Sequence, residues 1–280
     1  VIGAISFICA VLPTALTSSP QPRPLASARI DIGLLYRTSP VAAIAAFSVG
    51  MANGAFGTLA PVYGYEQGLD ASGISLLFAV AAILGAAAQV PFGRLSDHID
   101  RRLVLIGLAG FAAIVGALTV LINPGPNWMM FVLFAAYGFA ANPIYAVAVA
   151  HANDFARDGD FAKIAGGMLL ILGIGLAIGP AVASLIMGAW SPVGLFIVTA
   201  AFHGALAVTA YLRMRVRKGI DAAYREPFQP MGDRQVTPET IVLDPRAESD
   251  ETDIGYAEPP VPEELAAQNE DGRDVQDRTV

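Results

Sequence analysis

Charge is scarce in this 280-residue sequence: Asp, Glu, Lys and Arg make up 15% of it, where a soluble domain carries roughly 25%. So few ionised groups cannot coat a water-soluble protein of this size. With 55% hydrophobic residues and a mean hydropathy of +0.56, the composition points to lipid as the solvent. Cysteine is scarcer still. The single Cys9 excludes an intrachain disulfide and any cysteine-based metal cluster, and in its apolar stretch it reads as a small lipid- or helix-facing residue. Also missing are a phosphate-binding loop, a His/Glu metal spacing and a nucleophile elbow. No enzyme chemistry, no cofactor and no nucleic-acid partner are expected. His151, Asp154 and Asp158 stand at spacings a metal could use, but on a short polar loop they read as solvated side chains.

The charges that are present are segregated. Residues 1–218 hold 12 Lys and Arg against 8 Asp and Glu, a net of +4, and residues 219–280 hold 5 against 16, a net of −11. The pI of 4.9 therefore describes the tail and misdescribes the body. From Gly219 onward, seven prolines, many carboxylates and no periodic apolar face predict disorder, because such a segment cannot bury enough apolar surface to offset its ordering entropy.

What is abundant is long apolar runs. Six lie at about 41–63, 72–92, 103–122, 128–150, 164–188 and 193–212, each long enough to cross ~30 Å of hydrocarbon as a helix. In lipid the backbone must satisfy its own hydrogen bonds, which leaves helices as the choice for long, non-alternating runs. The expected fold is an all-α membrane protein, a six-helix transmembrane bundle over 41–212. Residues 1–12 are apolar without a basic flank and read as the end of an upstream transmembrane helix, so the sequence reads as a fragment. Residues 13–40, with Pro20, Pro22, Pro24, Arg23, Arg29 and Arg37, read as a linker between two membrane blocks.

Loop charge orients the bundle. Segments 13–40, 93–102, 151–163 and the tail fall on one side of the membrane; 64–71, 123–127 and 189–192 fall on the other. All 17 Lys and Arg residues lie on the first side. The positive-inside rule makes that side cytoplasmic, so the expected location is a bacterial inner (plasma) membrane with a cytoplasmic tail. Segment 213–280 then opens with a basic anchor, Arg213, Arg215, Arg217 and Lys218, suited to anionic headgroups.

One loop stands out: Gly93-Arg94-Leu95-Ser96-Asp97-His98-Ile99-Asp100-Arg101-Arg102. Gly93 lets a helix end approach its neighbour. Asp97 can accept hydrogen bonds from nearby arginines or from a helix N-terminus, where the macrodipole favours an anion. Arg101 and Arg102 are expected at headgroup level, and the whole reads as a charge latch. The loop resembles the Gly-x-Leu-x-Asp-Arg-x-Gly-Arg-Arg motif of the major facilitator superfamily (MFS). It departs from that motif at His98, where Arg or Lys is usual, and at Asp100, where Gly is usual. Asp tolerates a left-handed turn, yet Asp100 adds a competing carboxylate beside Arg101. Residues 50–64 (GMANGAFGTLAPVYG), 137–151 (YGFAANPIYAVAVAH) and 173–184 (GIGLAIGPAVAS) resemble YcaD-type permeases within the superfamily.

The resemblance implies helices 7–12 of a 12-helix transporter whose N-terminal six-helix half is missing here. It also implies a small-molecule substrate carried by alternating access, in secondary active or facilitative transport, with the first and fourth helices lining the cavity. Cavity candidates are Asn53, Phe56 and Tyr63, which with Ala60 share one helical face, then Asn142 and Tyr145 around Pro143, and Gln89. For Asn53, Gln89 and Asn142 the alternative is hydrogen bonding between helices; for Tyr63 it is the interfacial aromatic belt. Pro143 is a candidate kink. Gly173, Gly175, Gly179 and Pro180 are expected to permit close packing and bending, with a moving gate as the alternative, and His203 is expected to be a satisfied packing residue. No Asp, Glu, Lys or Arg falls in the middle of a span, so any carboxylate coupling a proton to transport is expected in the missing half. The rival expectation is a non-transporting membrane scaffold whose acidic tail recruits a soluble partner.

Overall fold

A computed structural model of the chain describes residues 31–156 and 160–216. The expectations for residues 1–12, for most of the linker, for Asp158 and for the acidic tail lie outside the described residues. Within them all regular structure is helical.

A short helix, α1 (Ile32–Thr38), is capped by Asp31, whose carboxylate accepts the Leu34 N–H at 2.8 Å. It ends at Ser39, which at once caps α2 (Pro40–Glu66) through its hydroxyl on the Ala42 N–H. Pro40 occupies the first turn of α2, where a missing N–H costs nothing. The exit from α2 is a tight reversal: Gly68 takes φ +88° and the Leu69 N–H reaches back to the Gly64 carbonyl at 3.0 Å, a geometry that favours glycine. Asp70 then caps α3 (Ala71–His98) on the Gly73 N–H at 2.8 Å. α3 runs on through Pro91, Gly93 and most of the loop motif to His98, where the Ile99 N–H closes it on the Leu95 carbonyl at 3.1 Å. Asp100 caps α4 (Arg101–Ile122), and Asn123 closes it in the left-handed region at φ 43°. Asn127 caps α5 (Trp128–Asn153), and α6 (Phe161–Ala189) and α7 (Gly194–Val216) complete the bundle.

Six of these helices, α2 to α7, are long and apolar enough to cross a membrane. Short connections make successive helices antiparallel. Every described Arg and Lys then falls at one end of the bundle, the basic end, while Tyr65, Trp128 and Trp190 stand exposed at the other, the neutral end. Tyr211 and Arg215, stacked and hydrogen-bonded to each other, occupy the basic end.

Packing pairs α2 with α6, α3 with α5 and α4 with α7. The α2–α6 crossing is built on glycine at both sides. A methyl on Gly54 would stand 2.6 Å from the Leu176 carbonyl oxygen, and one on Gly175 would stand 2.7 Å from the Phe47 carbonyl oxygen. Gly50 and Gly179 likewise leave no room for a side chain. Small residues four apart on each helix let the backbones touch, the usual source of helix association where lipid removes the hydrophobic drive. The α3–α5 crossing repeats the device with Gly138 against the Ala81 backbone and Gly85 against Asn142. In consequence α2 and α5 are enclosed by their neighbours, whereas α3 and α6 keep most of their surface open.

The core differs between the ends. Toward the basic end it is aliphatic and small, with Ala42, Ala45, Val49, Leu105, Val147 and Ala148. Toward the neutral end it is aromatic, centred on Phe134 and Phe196.

Candidate functional site

The loop motif folds into a buried ion network joining three helices. Arg101 opens α4 at 1% exposure. Its Nε donates to Asp154, the residue that follows α5, at 2.8 Å, one terminal nitrogen lies 3.4 Å from Asp97 of α3, and the other reaches the Ser96 hydroxyl at 3.5 Å. Ser96 is itself fixed by donating to the Gly93 carbonyl at 2.7 Å. A guanidinium with donors on several edges can hold two carboxylates at once, as an ammonium cannot. Arg102, also buried, pairs with Asp100 at 2.7 Å.

Sequence reasoning places Arg101 and Arg102 at headgroup level; the structure puts both inside the bundle, because α4 begins with them and turns their side chains onto α3 and α5. The Asp100 expectation changes too. Its φ is −58°, so no left-handed turn is used, and its carboxylate is turned to Arg102. Its carboxylate accepts the Arg102 N–H at 3.0 Å and the Arg102 side chain. Burial pushes the Asp100 carboxyl up, but the Arg102 hydrogen bonds and charge, with the nearby His151, outweigh it and hold the group below its ordinary value of 3.8. His98 lies on the last turn of α3 and donates Nδ1–H to the Arg94 carbonyl at 2.7 Å.

Asp154 and His151 are where sequence reasoning falls short. Both read as solvated loop residues; the structure carries α5 to Asn153 and buries their side chains, at 4% exposure for His151 and for the Asp154 side chain. The available signal was helical phase. His151 and Asp154 are three apart, so they share a face once α5 is extended by one turn.

The cavity candidates do not converge on one enclosed site. Phe56 and Tyr63 lie in the aromatic core of the neutral end: Phe56 packs on Phe78, Phe134 and Tyr137, and Tyr63 on Phe134 and Phe196, with ring centroids 4.8–5.9 Å apart. Tyr63 is fully buried, and its neighbour Tyr65 is the exposed belt residue. Asn53 on α2, Gln89 on α3 and Asn142 on α5 are half-buried, and no hydrogen bond joins their side chains to another described residue. Asn142 rests its amide in the space left by Gly85. Tyr145 is half-buried, with its hydroxyl enclosed and unbonded among the described residues. Pro143 and Pro180 lie within α5 and α6, each removing one N–H from the helical ladder. Gly175 and Gly179 face α2, whereas Gly173 faces open space. His203 is fully buried; its Nδ1–H donates to the Thr199 carbonyl at 2.8 Å, and Nε2 has no partner among the described residues. An open groove lined by Ala71, Ser72, Ser75, Leu76 and Ala79 runs along the first turns of α3, away from all of these.

This geometry is a helical bundle with an ionic clasp at one end and unspent amides along its helices. The sequence profile of the Major Facilitator Superfamily matches residues 42–247. An uncharacterized MFS-type transporter of Enterobacter sp. (strain 638) is 33% identical over 169 residues, which are 60% of this chain and 42% of that protein. The uncharacterized MFS-type transporter YcaD of Escherichia fergusonii is 32% identical over 151 residues, 54% of this chain and 38% of that protein, and YcaD of Salmonella newport gives the same figures. The chain thus spans less than half the length of the curated relatives it matches. With its six apolar helices it is a multi-pass membrane protein, and it belongs to the Major Facilitator Superfamily.

Proposed function

We propose that these six helices form one half of a secondary transporter that moves a small organic solute by alternating access, with the basic end in the cytoplasm and the clasp at that end acting as a latch. Two such halves rocking about a midplane site is the mechanism general to inverted-repeat carriers. The observation that carries the proposal is Arg101: one buried guanidinium shared by a carboxylate on α3 and one just after α5. A buried ion network resists partial disruption, because removing one partner strands the others in low dielectric. It therefore has two discrete conditions, made and broken, which is what a latch requires.

Asn53, Gln89 and Asn142 are the polar groups we assign to the cargo path. A half-buried amide without a protein partner in hydrocarbon is costly unless it meets water or cargo. Phe56, Tyr63 and Tyr145 would form the wall beside them. A coupling proton would use a group outside the spans described here, since no Asp, Glu, Lys or Arg occupies their middle turns.

The test is uptake by the full-length protein in proteoliposomes against a panel of small organic solutes, with Asn142→Leu and Arg101→Ala beside the wild type. A transported solute should show a raised KM in Asn142→Leu and a reduced turnover in Arg101→Ala. Uptake of a solute at wild-type KM and rate by both variants would refute these roles, and no uptake of any class would refute transport. A tag after Val280 that is labelled from outside intact cells would overturn the orientation.

A further inference from the structure

We propose that Tyr137, Thr199 and His203 hold a single water molecule inside the bundle, and that this water is the polar tie between α5 and α7. It would fix α5, the helix that carries Asn142 and Tyr145, against an outer helix of the same half. The inference goes beyond the transport reading and depends neither on the latch nor on cargo.

Three polar groups meet here with their hydrogen bonding incomplete. His203 is fully buried, and its Nδ1 lies 2.8 Å from the Thr199 carbonyl, an oxygen that can only accept. Nδ1 therefore carries a proton. No Asp or Glu stands in the middle turns of the spans to hold an imidazolium, and in a neutral ring Nε2 is then a bare acceptor. Nε2 has no partner among the described residues. The Tyr137 ring stands edge-on to that of His203, with centroids 5.7 Å apart, and its hydroxyl, a donor, is likewise enclosed and unpartnered. The Thr199 hydroxyl, one turn before His203, stands close to that of Tyr137 without completing a hydrogen bond to it. Its proton is spent on the Phe196 carbonyl at 3.2 Å, so its oxygen has only lone pairs to offer. One donor and two acceptors remain. A water that accepts from Tyr137 and donates to His203 and Thr199 satisfies all three, and three bonds is the usual count for a buried water.

The helices leave a place for it. α5 and α7 each pack on α2 and α4, while rings span the space between the two: Phe134 meets Phe196 at 5.5 Å and Tyr137 meets Phe196 at 6.4 Å. Tyr137 and His203 lie the same number of residues past their helix starts, Trp128 and Gly194. The side chains clustered with Tyr137 include Ala112 of α4 and Ala140 and Ala141 of α5, which keep the walls short. Gly116 of α4 does the same beside Thr199, whose hydroxyl oxygen is 3.3 Å from where a methyl would stand. Hydrocarbon offers such groups no bulk water, so a polar atom left bare at this depth is costly. The Tyr63 hydroxyl is enclosed too, but its ring packs on Phe134 and Phe196, which carry no polar side-chain atom to share a water with.

Magic-angle-spinning NMR of the full-length protein in lipid bilayers, with isotopically labelled histidine nitrogens, reads this directly. His203 is identified by the signals lost in His203→Gln. In the wild type it should show one protonated nitrogen and one bare, hydrogen-bonded nitrogen that takes up polarisation from water protons. Tyr137→Phe removes the donor that holds the water, so the Nε2 signal should shift to its unbonded position and lose the transfer from water. Thr199→Val removes one acceptor and should weaken that transfer. A wild-type Nε2 that is unbonded, or bonded without transfer from water, as a direct bond from Tyr137 would make it, overturns the proposal. So does an Nε2 signal that is the same in Tyr137→Phe as in the wild type. Thermal midpoints in detergent give a second reading. The losses in Tyr137→Phe and His203→Leu should fall short of adding in the double variant, because each breaks the same bridge. Losses that add in full overturn the tie between the helices.

Discussion

The two ends of the bundle are held by opposite physics. At the neutral end Phe56, Tyr63, Phe134, Tyr137 and Phe196 interlock at tilted and edge-to-face angles, in many shallow contacts that lose strength gradually as helices separate. At the basic end the core is aliphatic, and the helix ends are tied by one guanidinium and its carboxylates. Aromatic packing changes little with pH or salt. An ion network makes or breaks as a unit and answers to both. A bundle built this way is held at one end by dispersion and at the other by charge.

The contrast can be broken most forcefully at Arg101. Arg101→Ala leaves Asp154 buried without its guanidinium, and removing one partner of a buried pair costs about 3–5 kcal/mol. The thermal midpoint of the full-length protein in detergent should fall accordingly, and Asp154→Asn, which removes the charge it strands, should recover part of the loss in the double variant. Phe196→Ala should follow at about 3 kcal/mol, the low end for an aromatic truncation. In lipid the hydrophobic transfer contribution is absent and only packing is lost. Unlike the first loss, this one should be the same at low and high salt. If both losses show the same salt dependence, the division between the ends is wrong.

Gly179→Val tests the crossing that joins the two ends. A side chain there meets the Met51 backbone, which cannot yield as a flexible side chain can, and overpacking of this kind costs about 1–3 kcal/mol. Gly173→Val, on the open side of the same helix, should cost far less in the same melt. The smallest effect belongs to Asp100. Its carboxyl is held below the ordinary value in the folded protein, so its stabilising contribution is present at neutral pH. That contribution is lost as pH falls through the lowered value. Asp100→Asn should flatten the acid limb of the stability profile while moving the neutral-pH midpoint little, since Asn still caps α4.

Much of this architecture is legible in the sequence because the bilayer constrains it so heavily. Run length gives the six helices, and the one-sided placement of Lys and Arg gives their alternation. The loop motif was legible as a charged device because its residue types have few other uses together. Its depth was not. Whether Arg101 meets headgroups or a buried carboxylate depends on where α4 begins and on Asp154, which lies 53 positions away. No local pattern encodes that distance. The same holds for Tyr63 and Tyr65: both suit an interface by composition, and only helical phase against α5 and α7 decides which one faces Phe134 and Phe196. The glycines of α6 announced close packing, while their partners Gly50 and Gly54 on α2 went unread, because a crossing needs two helices and a sequence displays one at a time.

Tyr65, Trp128 and Trp190 rim one end, and Tyr211 with Arg215 rims the other. Rings of this kind prefer the narrow layer between acyl chains and water, and each would be dragged out of it if the bundle slid along the membrane normal. The molecule is in effect moored at two depths. Piston strokes are thereby penalised, whereas tilts about an axis in the membrane plane are not.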